Sequence, residues 1–252
     1  MHVYTNGGPK CRQVSEAFAQ GAGARVVPAS AGMQPGAVAC YGMLRGLREI
    51  LDEARTQGRE WYFLDNGYFG RGAYFRVTRG ALQLQGRQVE PHGLARLYEH
   101  ALPWRDWQRT GRHVLIVQQS PAWYDLLDLG GLEQWTQRTV DELRRYTDRQ
   151  IVIRGKDSPI PLDEHLDDCW AVVTHSSNVA VDAIVRGIPV FVLGQSAAAA
   201  VALSDLSRIE SPLRYEDRLH WAARLSANQW TLEEMRSGQC WQELNQCAAI
   251  AA

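Results

Sequence analysis

Between the apolar pair Val172-Val173 and the helical pattern Val179-Ala180-Val181 stands Thr174-His175-Ser176-Ser177-Asn178, a run of hydroxyl, imidazole and amide side chains. A strand that ends in small hydroxyl residues and opens a helix leaves first-turn N–H groups without partners, and these attract anions. A phosphate would fit such a turn. The same residues also make an ordinary N-cap, with Gly187 and Pro189 ending the helix, and the residues alone leave both readings open.

Ile153-Arg154-Gly155-Lys156 lies at the end of another expected strand, where open α/β sheets gather their ligands. Arg suits bidentate phosphate contact, and Lys neutralises charge as a leaving group departs. The alternative is a solvated turn. Asn6-Gly7-Gly8-Pro9-Lys10 is a glycine turn after the first strand, where backbone can approach a ligand closely. It lacks the G-x-G-x-x-G spacing, so no dinucleotide cofactor is expected.

Leu64-Asp65-Asn66-Gly67 closes a further strand. Asp65 there is placed as a general base would be, although Asp-Asn-Gly is equally a turn sequence. Tyr68, Phe69, Arg71, Tyr74, Phe75, Arg76 and Arg79 then interleave aromatic and cationic groups. Such a patch could stack sugars or bases while neutralising phosphate, or be a hairpin whose alternate aromatics face the core.

The elements that must position these groups alternate. Strand-like runs at 2–6, 24–28 and 60–65 surround helical patterns through Val14, Ala17 and Phe18 and through Leu44, Leu47, Ile50, Leu51 and Ala54. Runs at 74–78 and 81–84 read as a β-hairpin, and the polar, turn-rich stretch 102–111 as a linker. The alternation then restarts, with strands at 113–117, 150–154, 170–174 and 189–193 and helices at 132–146, 162–168 and 178–186. Residues 215–244 read as helical and carry Trp221, Trp230 and Trp241. The expectation is an α/β protein of two Rossmann-like halves, residues 1–108 and 109–252, each around a parallel sheet.

The order of strand, Thr-His-Ser-Ser, helix with an acidic residue, and Gly187-Ile188-Pro189-Val190 resembles the donor half of GT-B glycosyltransferases, especially the capsular-polysaccharide and Kdo-transferase type. The likeness is concentrated in residues 150–195. It implies a compact GT-B fold with a C-terminal helix crossing back onto the first half, and transfer of a sugar from a nucleotide-sugar donor to a hydroxyl acceptor. Ser176, Ser177 and Asn178 would lie by the donor phosphates with His175 beside them, and Asp182 either joins them or pairs locally. Arg154 and Lys156, together with Gly7, Gly8 and Lys10, complete the expected donor-binding set. Asp65 and His175 are the expected catalytic residues, and Tyr68, Arg71 and Arg76 the expected acceptor contacts. The Asp-Asn-Gly-Tyr-Phe element looks like that of short phage-encoded enzymes that glycosylate hydroxymethylated pyrimidines, which makes DNA a candidate acceptor. A capsular or cell-surface glycan, epimerisation or hydrolysis of the nucleotide sugar, and non-catalytic nucleotide or DNA binding are the alternatives.

Composition bounds these readings. The net charge of the 252 residues is −1, so no global field favours nucleic acid or an anionic membrane. Of the 27 basic residues only Lys10 and Lys156 are lysines. The five cysteines, Cys11, Cys40, Cys169, Cys240 and Cys247, include no C-x-x-C pair, and the histidines have no metal-ligand spacing. Reduced thiols, no bound metal and metal-independent chemistry are expected. No apolar run is long enough to span a bilayer and no signal-like segment opens the chain, so a cytoplasmic location is expected, that of the host if the gene is a phage's.

Overall fold

The computed structural model describes residues 1–84 and 93–250, and the side chains of 1–84 and 93–245. The chain forms two compact units, residues 1–82 with 226–252, and residues 83–225.

The first unit holds β1 (His2–Thr5), α1 (Pro9–Gly21), β2 (Arg25–Pro28), β3 (Val38–Tyr41), α2 (Leu47–Thr56), β4 (Trp61–Asn66) and β5 (Tyr74–Arg79). Pro9 starts α1 at a position where a missing N–H costs nothing. Leu47, Ile50, Leu51 and Ala54 are buried along one stripe of α2, as the i, i+3, i+4, i+7 spacing requires.

The second unit runs α3 (Gly93–Glu99), β6 (His113–Val117), α4 (Pro121–Leu126), α5 (Leu132–Leu143), β7 (Gln150–Arg154), α6 (Leu162–Leu166), β8 (Cys169–Thr174), α7 (Val179–Val185), β9 (Val190–Val192) and α8 (Arg218–Ala227), the last two residues of α8 already belonging to the first unit. Every residue of β8 is buried, as expected of a central parallel strand covered on both faces. Then β10 (Gln229–Thr231), α9 (Leu232–Arg236) and α10 (Gln239–Ile250) follow in the first unit.

The two units repeat one topology. The sheet order is β10-β5-β4-β3-β1-β2 in the first and β7-β6-β8-β9 in the second. Its parallel portions, β2-β1-β3-β4 and β7-β6-β8-β9, carry the same doubly wound order. The direction of winding reverses between β1 and β3 and between β6 and β8. Crevices for ligands open outside the carboxyl ends of strands at such reversals. Two Rossmann-like halves are therefore what the chain builds.

The sequence expectations are corrected at four places. The division falls at residue 82 rather than 108, because the irregular stretch 102–111 is tied to the second unit: Arg105 N–H donates to Val185 O and Gln108 N–H to Gly187 O, at 3.2 and 2.7 Å. The hairpin of 74–78 with 81–84 does not form, because β5 pairs antiparallel with β4 on one side and β10 on the other. Residues 81–83 instead bend back, with Leu82 O taken by Arg76 and Ala81 O by Thr78. The helical reading of 215–244 is broken by β10. That strand brings the C-terminal segment back to the first unit, where Gln229 exchanges two 3.1 Å hydrogen bonds with the Phe69 backbone. The fourth is β3, which the sequence reading missed. Cys11, Cys40, Cys169 and Cys240 are free and buried, and Cys247 lies outside the described side chains. Among the described residues no helix is long and apolar enough to cross a membrane.

Candidate functional site

In the second unit, the carboxyl ends of β6, β8 and β9 bring together three polar turns: Gln118-Gln119-Ser120, His175-Ser176-Ser177 and Gly194-Gln195-Ser196. The β8 turn is held from inside. Thr174 Oγ1 donates to Val117 O at 2.8 Å and accepts the Ser177 N–H at 3.4 Å, which joins the ends of β6 and β8. Ser177 Oγ accepts the Val179 N–H at 3.3 Å, a local turn bond just ahead of α7, whose N-cap is Asn178.

Ser176 is the hub. Its N–H and its hydroxyl both lie 3.1 Å from Gln119 Oε1, and its Oγ lies 3.2 Å from His175 Nδ1. Gln83 Nε2 donates to Ser176 O at 3.2 Å and to Asn178 Oδ1 at 3.4 Å. Gln118 is anchored in turn, with Nε2 donating to Thr136 Oγ1 at 2.8 Å, and the Gln119 N–H donates to Tyr124 Oη at 3.1 Å.

His175 is 7% exposed, and burial pushes its pKa down, so the ring is neutral near pH 7. Trp135 meets it edge-on with ring centroids 6.5 Å apart. Gly194 also packs on it, and its N–H donates to His175 O at 3.0 Å. A Cβ added at Gly194 would overlap Cε1 and Nε2 of the imidazole, so the ring rests directly on a glycine backbone.

These contacts revise the picture of free N–H groups at the serine turn. The N–H groups of Ser176, Ser177, Val179 and Ala180 each have an acceptor within the protein, from Gln119, Thr174, Ser177 Oγ and Ser177 O respectively. The turn is thus built mainly by side chains. The groups it offers outward are the half-exposed Ser177 and Asn178 and the edge of His175.

Arg154 and Lys156 stand at the end of β7, the edge strand beside β6. Arg154 Nη1 donates to Ile160 O at 2.5 Å, and Lys156 is exposed. They are two strand positions from β8, about 10 Å across the sheet.

The remaining expected site residues belong to the first unit. Gly7 and Gly8 give their N–H groups to Thr5 Oγ1 and Asn6 Oδ1 within their own turn, at 3.2 and 3.0 Å. Lys10 Nζ donates to Asn66 Oδ1 at 2.7 Å and lies 5.5 Å from the Phe75 ring centroid. Tyr41 Oη reaches the same Asn66 oxygen at 3.4 Å, and burial, with the Asp65 charge nearby, pushes its hydroxyl pKa up.

The expected acceptor patch is largely interior. Tyr68 is 1% exposed and Arg76 fully buried, so neither can grip a ligand. The Arg76 guanidinium lies over Phe63 and Tyr68, donates to Leu82 O at 2.6 Å, and pairs with Asp65 Oδ2 at 2.8 Å. Asp65 Oδ1 accepts the Asn66 N–H at 2.8 Å. Both carboxylate oxygens of the expected base are therefore engaged by the fold. Of the patch, Arg71 and Arg79 are exposed, and Arg79 is paired with Glu60 at 2.6 Å.

The sequence reading missed Gln83, Gln119, Trp135 and Gly194. Gln119 had a usable signal, since it follows the strand 113–117 as Ser176 follows β8. Gln83 had none.

Among the described residues no group of three or more His, Cys, Asp or Glu side chains is arranged to hold a metal ion.

No family model matches the chain, and no curated protein matches it in sequence. Solved structures do resemble it in fold. The beta Kdo 2,7 transferase of Thermosulfurimonas dismutans KpsC gives a TM-score of 0.51 at 10% identity, over 96% of this chain and 99% of that one. The beta Kdo 2,4 transferase of Thermosulfurimonas dismutans KpsC gives 0.49 at 15% identity, over 89% and 90%. The first of these likenesses supports the two-half α/β architecture over nearly the full length of both chains.

Proposed function

We propose that the protein is a GT-B-type glycosyltransferase that moves a sugar from a nucleotide-sugar donor to a saccharide hydroxyl, with the donor held in the second unit. The observation that carries this reading is the polar cluster of Gln119, His175, Ser176 and Ser177 at the β6/β8 reversal, where doubly wound sheets bind nucleotides. Ser177 and Asn178 contact the donor, and Arg154 and Lys156 at the neighbouring β7 end balance phosphate charge. No divalent metal is needed for that role, because fixed cations stabilise a departing phosphate as a metal would.

A saccharide acceptor is preferred to DNA. The fold neighbours are Kdo transferases by name, and the net charge of −1 offers little attraction to a polyanion. Lys10, Tyr41 and Asn66 are the first unit's strand-end groups on the acceptor side.

The test is to incubate the full chain with a panel of nucleotide sugars and saccharide acceptors and to measure released nucleotide, with and without excess chelator. Acceptor-dependent release that survives chelation is expected. Consumption of no donor would overturn the proposal, and release without any acceptor product would make the enzyme a hydrolase or epimerase instead.

A further inference from the structure

The hydrogen bonds around Ser176 have only one consistent direction. A backbone N–H can only donate, so the Gln119 atom 3.1 Å from Ser176 N must be the amide oxygen. That oxygen cannot donate, so the Ser176 hydroxyl, also 3.1 Å from it, must spend its single proton on Gln119. The Ser176 oxygen is then left with lone pairs facing His175 Nδ1 at 3.2 Å. A neutral imidazole meets a lone pair with its N–H. The proton of His175 therefore sits on Nδ1, and Nε2 carries a bare lone pair.

Nε2 has no partner among the described residues, and it does not belong to the buried polar atoms sealed from solvent. Gly194 packs directly on the ring and Trp135 meets it edge-on, so turning it over, which would put Cδ2 in place of Nδ1 beside Ser176, means displacing a neighbour.

We infer that His175 presents an unprotonated Nε2 to the substrate and that Gln119, through Ser176, is the positioning residue that keeps it so. A bare lone pair accepts a hydrogen bond and repels an anionic oxygen. What meets His175 is then a donor group, a hydroxyl of the sugar or of the ribose, and not a phosphate oxygen. The tautomer stands on the hydrogen-bond geometry alone; its use toward a hydroxyl rests on the glycosyl-transfer reading above. With the Ser176, Ser177 and Val179 N–H groups already engaged, phosphate contact shifts to Ser177, Asn178 and the β7 cations.

The test is long-range proton–nitrogen correlation spectroscopy on the full chain labelled with 15N-histidine, at a pH above 7, with the His175→Gln variant assigning the signals. Wild type is expected to show one fixed tautomer with the proton on Nδ1. Gln119→Glu, whose carboxylate accepts the same two bonds, keeps it. Gln119→Met removes the acceptor, frees the Ser176 proton to turn toward His175, and moves the imidazole proton to Nε2. Should the Met variant fail to fold, Ser176→Ala serves the same end, since Nδ1 then has no acceptor to hold its proton. Inorganic phosphate is then titrated into wild type, and Nε2 is expected to stay unprotonated. A proton on Nε2 in wild type, averaging between tautomers, an unmoved proton in the Met or Ala variant, or protonation of Nε2 by added phosphate would each overturn the inference. Failure of every nucleotide sugar to bind would instead strike the functional reading and leave the tautomer result standing.

Discussion

Asp65 and Arg76 face each other across the antiparallel pair β4/β5, with Oδ2 and Nη2 2.8 Å apart, and the arginine is entirely enclosed while the carboxylate keeps 28% of its side chain exposed. An enclosed guanidinium without a counterion costs heavily, so this carboxylate holds the first unit together. Asp65→Asn is expected to lower stability toward the lower end of the roughly 3 to 5 kcal/mol seen when one partner of a buried pair is removed, because Asp65 is partly solvated. Thermal unfolding measures this. If the Asn variant melts like wild type but turns over about two orders of magnitude more slowly, Asp65 is the general base after all and the ion pair is incidental.

Gly187 ends α7 with φ +75, and the chain at Asp106 passes so close that an added Cβ would run into its carbonyl. The Gly-Ile-Pro-Val element thus has a structural reason: the irregular strap 102–109 is hydrogen-bonded onto it. Gly187→Ala combines left-handed strain with a backbone clash, and is expected to cost more than about 3 kcal/mol or to abolish folding. Gly131, also at positive φ but with open space around its Cα, carries the strain without the clash and should cost roughly 1 to 3 kcal/mol on the same change. Equal effects of the two substitutions on the unfolding midpoint would refute the close-packed strap.

Burial lowers the pKa of His100, His165 and His175, with the Arg154 charge adding to the effect at His165. In each case the unfolded chain takes up its proton first as pH falls. Stability is therefore complete above the ordinary histidine value of about 6.5 and declines as pH drops below it toward the folded values. Unfolding midpoints between pH 7.5 and 5 should fall, and His175→Gln should flatten the slope. A midpoint that is constant or rises over this range would contradict the burial of these rings.

Much of the fold was legible because it is written in local pattern. The fully buried β8 announces itself as Trp170-Ala171-Val172-Val173-Thr174, and α2 by its apolar stripe. β3 was not, being four residues crowded between glycines. Nor was the pairing of β5 with β10, since the partners lie some 150 residues apart and hairpin rules look only to the nearest run. The site shows the same division. The serine turn stands out as polar residues after an apolar strand, but its Gln83 and Gln119 clamps come from distant segments, and no periodicity marks a side chain chosen as a hydrogen-bond partner. Arg76 and Tyr68 misled for a related reason. Alternation of aromatic and cationic residues fits a binding face and a core with one paired charge equally well.

The central claim, that the second unit holds a nucleotide-sugar donor at the β6/β8 strand ends, is tested most directly by calorimetric titration of the full chain with UDP-, CDP-, GDP- and CMP-sugars, comparing wild type with Ser176→Ala/Ser177→Ala. Loss of the Ser176 and Ser177 hydroxyl bonds should cost roughly 1 to 3 kcal/mol of stability, which a melting curve checks independently. Saturable binding of one donor class by wild type, weakened tenfold or more in a variant that remains folded, is the predicted result. Equal affinity in the two proteins, or heat from none of the donors, would contradict it.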